Sequence, residues 1–354
     1  MVKNKMSRES LPEMKFLVIG AGAIGTYIGG SLALSGQSVV FLERPEIAKS
    51  LRKTGLCLNI GGNEKCVRES QIVSSVDEAL TRGPYDVGVL AVKSYDTPAL
   101  MEMLRPYAVA LPPFLSFQNG VENEESLSRV LGEEKVIPGT LTSAVGRKGA
   151  GDIVLQRLRG IGVAETHILT APLVSVLDAA GLNAVKYARA DSMKWSKLLT
   201  NLWANATSAI LDMSPIEIYA HPGLCRLELE MEREALRVMR ALQIPVCDLP
   251  GTPVKLMAGV IRFLPDFVSA LLLQPAIGKG RGDKMPSFYI DLYSGRGKSE
   301  VEYLNGAVVR FGEEAGIATP VNGLLTETLT ALTNGEMPLD NFARKPEKLL
   351  ERLK

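Results

Sequence analysis

The stretch of sequence that most constrains the fold is LVIGAGAIGTYIGG, in which closely spaced glycines follow a short aliphatic run. Gly20, Gly22 and Gly25 form the pattern G-x-G-x-x-G between a predicted strand and a predicted helix. The first glycine permits a tight turn, the second lets a pyrophosphate approach the backbone, and the third lets helix and sheet pack closely. Because N–H groups at a helix start bind anions, Ala23 and Ile24 join the glycines as predicted backbone contacts of a dinucleotide.

The segments around this motif alternate between strand-like and helix-like patterns. Short β-branched runs are separated by stretches with the apolar spacing of helices. Strands are predicted at 15–19, 38–42, 86–92, 113–117, 136–145, 152–158 and 183–187, and helices at 24–35, 46–53, 97–107 and 122–130. Repeated βα units predict an α/β fold with a Rossmann-type, doubly wound parallel sheet. Between Gly55 and Val73, the segment NIGGNEK predicts a β-hairpin.

After about residue 190 the alternation stops, and apolar residues recur with the period of a helix. Helices are predicted at 191–213, 224–242, 254–273, 300–315 and 321–334. The length of 354 residues exceeds what one hydrophobic core usually fills. The sequence therefore predicts a flexible N-terminal tail over 1–14, a dinucleotide-binding Rossmann domain over 15–190 and a C-terminal all-helical domain over 191–354.

Charge and composition exclude several classes of partner. The net charge is +1 and the basic residues are scattered, which gives no electrostatic footprint for nucleic acid or an anionic membrane. The polar N-terminus lacks the apolar stretch of a secretory signal, and no apolar run is long enough to span a bilayer, so we expect a cytoplasmic protein. The cysteines are Cys57, Cys66, Cys225 and Cys247. With no C-x-x-C pair, they predict buried free thiols and no metal site.

The type of dinucleotide depends on the end of the second predicted strand, FLERPE. An acidic residue there binds a ribose 2′-OH and favours NAD, whereas an arginine pairs with a 2′-phosphate and favours NADP. Glu43 and Arg44 are both present. Since consecutive strand residues point in opposite directions, we expect one of the two to face the adenosine ribose. The residues alone leave the choice open.

A second group of polar residues lies in DSMKWSKLLTNLWANATSAI. Lys197, Asn201 and Asn205 follow one another at steps of four, which places an ammonium and two amides along one side of a helix. A lone lysine is usually solvent-exposed. Asparagine, however, is a poor helix former, so two asparagines in phase with the lysine favour a lined cleft over a solvated face.

A third polar cluster, GRGKSEVEYLNG, precedes another predicted helix. Ser299 is a candidate N-cap with Glu302 as its capping-box partner. Taken alone, Glu300 is typical of a surface carboxylate that compensates the helix dipole.

In order and spacing, five segments together resemble the ketopantoate reductase (2-dehydropantoate 2-reductase) family. They are IGAGAIG, VKSYDT, SFQNGVENEE, WSKLLTNLWAN and SEVEYLNGAVVRFGEEAGIATPVN. The resemblance implies NADPH-dependent reduction of ketopantoate to pantoate, in pantothenate and coenzyme A biosynthesis, with hydride transfer to the C2 ketone.

The resemblance also implies roles for individual residues. Lys197 matches the proton donor, and Glu300 matches the glutamate near the substrate hydroxyls and the cofactor. The substrate-binding positions implied are Asn119, Asn201, Asn205 and Ser287. On the cofactor side, Arg44 matches the arginine that holds the 2′-phosphate, while Lys93 and Asn119 match cofactor-side positions, with Asn119 near the nicotinamide ribose and the reacting centre.

Three alternatives remain open from the sequence: a related reductase of another small branched 2-oxo acid, a β-hydroxyacid dehydrogenase, and a non-enzymatic NADP-sensing protein. The first two share the glycine motif, and the β-hydroxyacid dehydrogenases also share a helical second domain with a catalytic lysine. The expected partner is a small-molecule 2-oxo acid substrate. A homodimer through the helical half is the oligomer we expect.

Overall fold

The computed structural model describes residues 12–272 and 284–353. The chain forms two compact units, of which the first contains residues up to Val92 together with Asp96–Gln118 and Glu124–Ala190. The second contains Lys93–Tyr95, Asn119–Asn123 and the described residues from Asp191 onward. Two short loops from the first half of the sequence therefore belong to the second unit. Most of the predicted N-terminal tail lies outside the described residues.

The first unit is built on an eight-stranded sheet. Its strands are β1 (Lys15–Ile19), β2 (Ser38–Leu42), β5 (Gln71–Val73), β6 (Val87–Leu90), β7 (Phe114–Ser116), β8 (Val136–Leu141), β11 (Ile161–Ala164) and β12 (Ala184–Tyr187). The strand order is β12-β11-β8-β7-β6-β1-β2-β5. Neighbouring strands are parallel except β8 and β11. This confirms the predicted Rossmann-type sheet.

Helices cover both faces of this sheet. They are α1 (Ala23–Leu34), α2 (Pro45–Thr54), α3 (Val76–Thr81), α4 (Thr97–Leu104), α5 (Asn123–Leu131) and α6 (Thr170–Ala179). Alternate residues of β1 belong to two different hydrophobic cores. In the first core, Phe16 and Val18 pack with residues of α1 and α6. Leu17 and Ile19 pack with residues of α4 and α5. A strand buried on both faces explains why the sequence of β1 reads as a continuous apolar run.

The predicted hairpin forms part of a second, four-stranded sheet. Its strands are β3 (Leu56–Ile60), β4 (Asn63–Val67), β9 (Ala144–Gly149) and β10 (Asp152–Arg157), in the order β4-β3-β10-β9. Gly61 and Gly62 form the two-residue turn, so Cys57 lies directly opposite Cys66 and the two are joined by a disulfide. The prediction of free thiols was therefore wrong for this pair, while Cys225 and Cys247 are free.

The second unit is helical in its long C-terminal part. Its helices include α7 (Ala190–Leu202), α8 (Asn205–Leu211), α9 (Pro215–Ala220), α10 (Pro222–Ala241), α11 (Val254–Phe263), α12 (Ser287–Tyr293), α13 (Asn305–Glu314), α14 (Pro320–Thr333) and α15 (Pro346–Leu350). None of the helices within 12–272 and 284–353 is both long enough and apolar enough to cross a membrane.

The predicted single helix over 191–213 was wrong, because the chain breaks between α7 and α8. Ala204 adopts a left-handed conformation with φ of 49°. Its backbone N–H donates to the buried carboxylate of Glu228 (2.7 Å), which also accepts a hydrogen bond from the Thr207 hydroxyl (2.6 Å). Glu228 thus satisfies donors at the start of α8, as an N-cap side chain would.

Two other predicted helices are shorter than expected. The helix predicted at 254–273 is interrupted after Phe263, and its last residue lies outside the described part of the chain. The helix predicted at 300–315 begins at Asn305, after a 3₁₀ turn over Val301–Tyr303. The predicted capping box is wrong: the Ser299 hydroxyl accepts the N–H of Val301 (3.2 Å).

Candidate active site

The glycine motif forms the turn between β1 and α1, and each glycine has a separate structural reason. Gly20 has φ of +91°, a conformation that disfavours other residues. A Cβ built on Gly25 would lie 1.9 Å from the carbonyl oxygen of Gly20, so only glycine lets the helix approach the turn this closely. A Cβ on Gly22 would meet nothing within 4 Å. The second glycine therefore opens space beside the backbone and does not relieve an internal clash.

The turn fits a dinucleotide by its own geometry. Gly22 is the N-cap of α1 and, as a glycine, has no side chain that could cap the helix, and the first turn of α1 contains no acidic residue. Ala23 and Ile24 begin the helix, where backbone N–H groups lack acceptors within the helix. An open backbone at an uncapped helix N-terminus is the arrangement that binds a pyrophosphate.

Glu43 and Arg44 differ sharply in their surroundings. The Glu43 carboxylate accepts the backbone N–H of Ala21, inside the glycine turn, at 2.7 Å, and that of Arg44 at 2.9 Å. The Arg44 side chain is 76% exposed, and its guanidinium lies 3.8 Å from the carboxylate of Asp96. Arg44 therefore offers an accessible cation at the end of β2, while Glu43 is tied to the turn.

Within the second unit, Lys93 lies between two buried carboxylates. Its Nζ donates to Glu300 Oε2 at 2.8 Å and to Asp291 Oδ2 at 2.9 Å. Burial by itself would lower the pKa of Lys93, but the charges and hydrogen bonds of Glu300 and Asp291 outweigh it and raise that pKa. Burial raises the pKa of Asp291, although the charge of Lys93 acts in the opposite direction. Lys93 is thus held as an ammonium.

Glu300 is buried, which rules out the surface carboxylate that its position in the sequence suggested. One oxygen binds Lys93, and the other accepts the backbone N–H of Ser94 at 3.1 Å. The Ser94 hydroxyl lies 3.2 Å from the same carboxylate oxygen and 2.8 Å from the carbonyl oxygen of Asn119, so it can donate to either. Ser94 links the Lys93–Glu300 pair to Asn119.

Asn119 connects this network to α7. Its side-chain oxygen accepts a hydrogen bond from the amide of Asn201 at 3.0 Å. Its backbone oxygen accepts a bond of 2.6 Å from Asn123, which holds the loop in place. The structure therefore brings together four of the predicted site residues, which are Lys93, Asn119, Asn201 and Glu300.

Asn205 and Ser287 form a second contact in the same unit. The Asn205 side chain donates to the carbonyl of Asn201 at 3.0 Å and to the Ser287 hydroxyl at 3.3 Å. Its oxygen accepts the N–H of Phe288, at the start of α12, at 3.0 Å. Asn205 is buried, and these bonds tie the end of α7 to the first turn of α12.

Lys197 lies on α7, one turn before Asn201, and is partly buried. Residues four apart share a face of a helix, so Lys197 and Asn201 belong to the same side of α7. The backbone carbonyl of Lys197 accepts the Thr200 hydroxyl at 2.8 Å.

Sequence reasoning missed Ser94, Asp291 and Asn123. Asp291 lies four residues after Ser287 on α12, and that spacing was a usable signal because it places both on one helix face. Ser94 directly follows Lys93, but its bonds depend on a glutamate about two hundred residues away in the chain, which nothing local indicates.

Comparison with known proteins places this chain in a family. The model of the family described as Ketopantoate reductase PanE/ApbA matches residues 16–166, and the model of its C-terminal region matches residues 189–333. The chain belongs to the ketopantoate reductase family. This confirms the predicted family and makes the chain an oxidoreductase with an NAD(P)-type cofactor and a small-molecule substrate.

Individual relatives agree over almost their full lengths. The 2-dehydropantoate 2-reductase of Archaeoglobus fulgidus is 26% identical over 322 residues, covering 90% of this chain and 97% of its own. The crystal structure of a ketopantoate reductase from Ralstonia eutropha JMP134 is 27% identical with a TM-score of 0.77, covering 91% of this chain and 99% of that one. A D-mandelate dehydrogenase solved with NADH and anilino(oxo)acetate shares the fold at 23% identity, with a TM-score of 0.72, covering 92% of this chain and 100% of that one.

Proposed function

We propose that this protein reduces ketopantoate to pantoate with NADPH. The observation that carries the proposal is the network Asp291–Lys93–Glu300–Ser94–Asn119–Asn201, with Lys197 one helical turn from Asn201, in a chain of the ketopantoate reductase family. Every member of the network is a charged, amide or hydroxyl group, which suits a small polar substrate with a carboxylate, a ketone and a hydroxyl.

A reduced nicotinamide, when bound, would supply the hydride that reduces the C2 ketone of the substrate. Lys197, as an ammonium, stabilises the negative charge that develops on the ketone oxygen and gives it a proton, leaving an alcohol. Asn119 and Asn201 orient that oxygen, and their mutual hydrogen bond of 3.0 Å fixes both amides beforehand. The amides contribute orientation without adding charge.

Ser287 and Glu300 are proposed to hold the rest of the substrate. Ser287 would bind the carboxylate from the first turn of α12, and Glu300 would accept a hydrogen bond from the substrate hydroxyl. Asn205 was expected to touch the substrate, but its amide already bonds to Ser287 and to the backbone of Asn201 and Phe288. We therefore assign Asn205 to positioning Ser287 and Asn201.

The residues proposed to bind the cofactor have separate roles. The glycine turn with Ala23 and Ile24 would hold the pyrophosphate. The accessible guanidinium of Arg44 would bind the 2′-phosphate, which favours NADPH over NADH. Lys93, which its two carboxylate partners hold in position, would contact the cofactor as a charged side chain.

We also propose that the protein works in the cytoplasm as a homodimer formed through its helical part. Exposed apolar side chains on and after α11, including Leu256, Phe263 and Phe267, support this assembly because such groups are commonly buried between subunits. Size-exclusion chromatography with light scattering tests it, and a monomer at every concentration would refute it.

The function is tested by following NADPH oxidation with a panel of 2-oxo acids that includes ketopantoate and unbranched analogues. We expect ketopantoate to have the highest kcat/KM. Lys197→Ala should lower kcat by about 10²- to 10⁴-fold, because it removes the proton donor. Lys255→Ala, on an exposed face of α11, is the matched control and should retain wild-type kcat.

Other outcomes would favour one of the three alternative functions or would remove Lys197 from the mechanism. A higher kcat/KM for another 2-oxo acid would assign the chain to a related reductase, and oxidation of hydroxy acids alone would favour a β-hydroxyacid dehydrogenase. NADPH binding without turnover of any substrate would favour a cofactor sensor. An undiminished kcat in Lys197→Ala would remove that lysine from the mechanism.

A further inference from the structure

Glu43 occupies the position at which acidic residues of dinucleotide-binding folds meet the adenosine ribose. It follows directly after β2, and the carbonyl of Leu42, the last residue of β2, accepts the N–H of Gly20 at 3.0 Å. The end of β2 and the glycine turn are therefore joined side by side. In folds of this type the ribose lies beside this junction.

The carboxylate of Glu43 is fixed at this junction. One oxygen accepts the N–H of Ala21 at 2.7 Å and the other accepts the N–H of Arg44 at 2.9 Å. Ala21 lies between the first two glycines of the motif and is buried. The bonds hold the turn to the end of β2 and, at the same time, keep a negative charge beside it.

Arg44, the proposed ligand of the 2′-phosphate, is consequently flanked by two carboxylates. Glu43 precedes it in the chain and bonds to its backbone N–H, and Asp96 lies 3.8 Å from its guanidinium. A 2′-phosphate that approaches Arg44 meets the repulsion of a neighbouring fixed negative charge, whereas an unmodified ribose does not. The attraction of Arg44 and the repulsion of Glu43 act in opposite directions on NADPH.

We propose that Glu43 is a specificity-determining residue that weakens the preference for NADPH, so that the chain also binds NADH. The proposal rests on the proposed function, since it assumes that the glycine turn holds a nicotinamide dinucleotide. Glu43 then has two roles: its hydrogen bond to Ala21 positions the turn, and its charge discriminates between the two cofactors.

The two roles are distinguished by two variants. In Glu43→Gln the amide oxygen can still accept the N–H of Ala21, but the charge is gone and the amide NH2 group cannot accept the N–H of Arg44. In Glu43→Ala both the bond and the charge are lost. Glu313→Gln, an exposed carboxylate of α13, is the control for the change in net charge.

The test measures the Kd of NADPH and of NADH by fluorescence titration without ketopantoate. We expect Glu43→Gln to tighten NADPH binding about tenfold, to change NADH binding by less than about threefold, and to lose less stability in urea than Glu43→Ala. Glu43→Ala should weaken NADH binding because the glycine turn loses the hydrogen bond from Ala21 to Glu43. Glu313→Gln should leave both constants unchanged.

An unchanged Kd for NADPH in Glu43→Gln would overturn the inference, and Glu43 would then only hold the glycine turn in position. Weaker NADH binding with unchanged NADPH binding in that variant would also overturn it, because Glu43 would then be an ordinary ribose ligand. Since no substrate is present, a failure to reduce ketopantoate would refute the proposed reaction and leave these binding results standing. A wild-type chain that binds neither cofactor would refute the inference together with the cofactor assignment.

Discussion

Two glycine-to-alanine substitutions in the glycine turn should have different effects, one on the stability of the protein and the other on cofactor binding. Gly25→Ala would place a Cβ 1.9 Å from the backbone oxygen of Gly20, whereas real Cβ contacts stay beyond 3.0 Å. The turn or α1 must therefore move by about 1 Å. Overpacking of this kind costs about 1–3 kcal/mol or more, and here it falls on backbone atoms, so we expect a loss of about 3 kcal/mol in the free energy of unfolding.

Gly22→Ala should behave in the opposite way. Its Cβ would meet nothing within 4 Å, and its φ of −72° suits alanine. Losing glycine at an N-cap costs about 0.5–1 kcal/mol, and the reduced entropy of the unfolded chain returns a similar amount. The net change in stability should thus be near zero. The added methyl fills the space that a pyrophosphate would enter, so NADPH should bind about 10- to 100-fold more weakly.

Urea denaturation of the cofactor-free protein and fluorescence titration with NADPH measure the two effects. Gly323→Ala is the matched control, because it adds a Cβ in open space within α14 and should stabilise the chain by about 0.5–1 kcal/mol without changing NADPH affinity. Wild-type NADPH affinity in Gly22→Ala would refute the argument that this turn holds the dinucleotide. Wild-type stability in Gly25→Ala would refute the argument for close packing.

Two further predictions concern charge and covalent linkage. Lys93→Met should cost about 3 kcal/mol in the free energy of unfolding, and Asp291→Asn less, since the former leaves two buried carboxylates without their shared cation. A buried acid with a raised pKa destabilises the folded protein as pH rises through that pKa. The loss of unfolding free energy in Lys93→Met should therefore shrink as pH falls toward 3.8, the ordinary pKa of Asp291. A loss that grows on acidification, measured by urea denaturation, would contradict this. Replacing Cys57 and Cys66 by alanine should lower the free energy of unfolding by about 2–3 kcal/mol, as expected for a disulfide between residues 9 apart in sequence. A reductant should produce the same loss in the wild type. Equal stability of the reduced and untreated wild type would show that the two thiols are not joined.

Local patterns in the sequence predict most of the first unit. Strands β1 and β2 begin and end where their apolar runs do, and the glycine motif places the turn between β1 and α1. The disulfide could also have been predicted from the sequence. A two-residue turn at Gly61 and Gly62 pairs Ile60 with Asn63, and counting outward from that pair sets Cys57 opposite Cys66. The missing step was to derive the register of the predicted hairpin.

The candidate site was harder to predict because its bonds join distant segments. The break at Ala204 has no local glycine or proline and depends on Glu228, 24 residues later, for an acceptor. Periodicity placed Lys197 and Asn201 on one face, but it could not show that the helix ends before Asn205. The burial of Glu300 likewise depends on Lys93 and Ser94, 207 and 206 residues away in the chain.

The central claim is that this chain transfers hydride from a reduced nicotinamide to the C2 carbon of ketopantoate. The most direct measurement uses NADPH carrying deuterium at C4, prepared separately on each face of the ring, with mass spectrometry of the product. We expect pantoate with one deuterium at C2 from one of the two labelled cofactors. Pantoate without deuterium from either cofactor, or no pantoate at all, would contradict it.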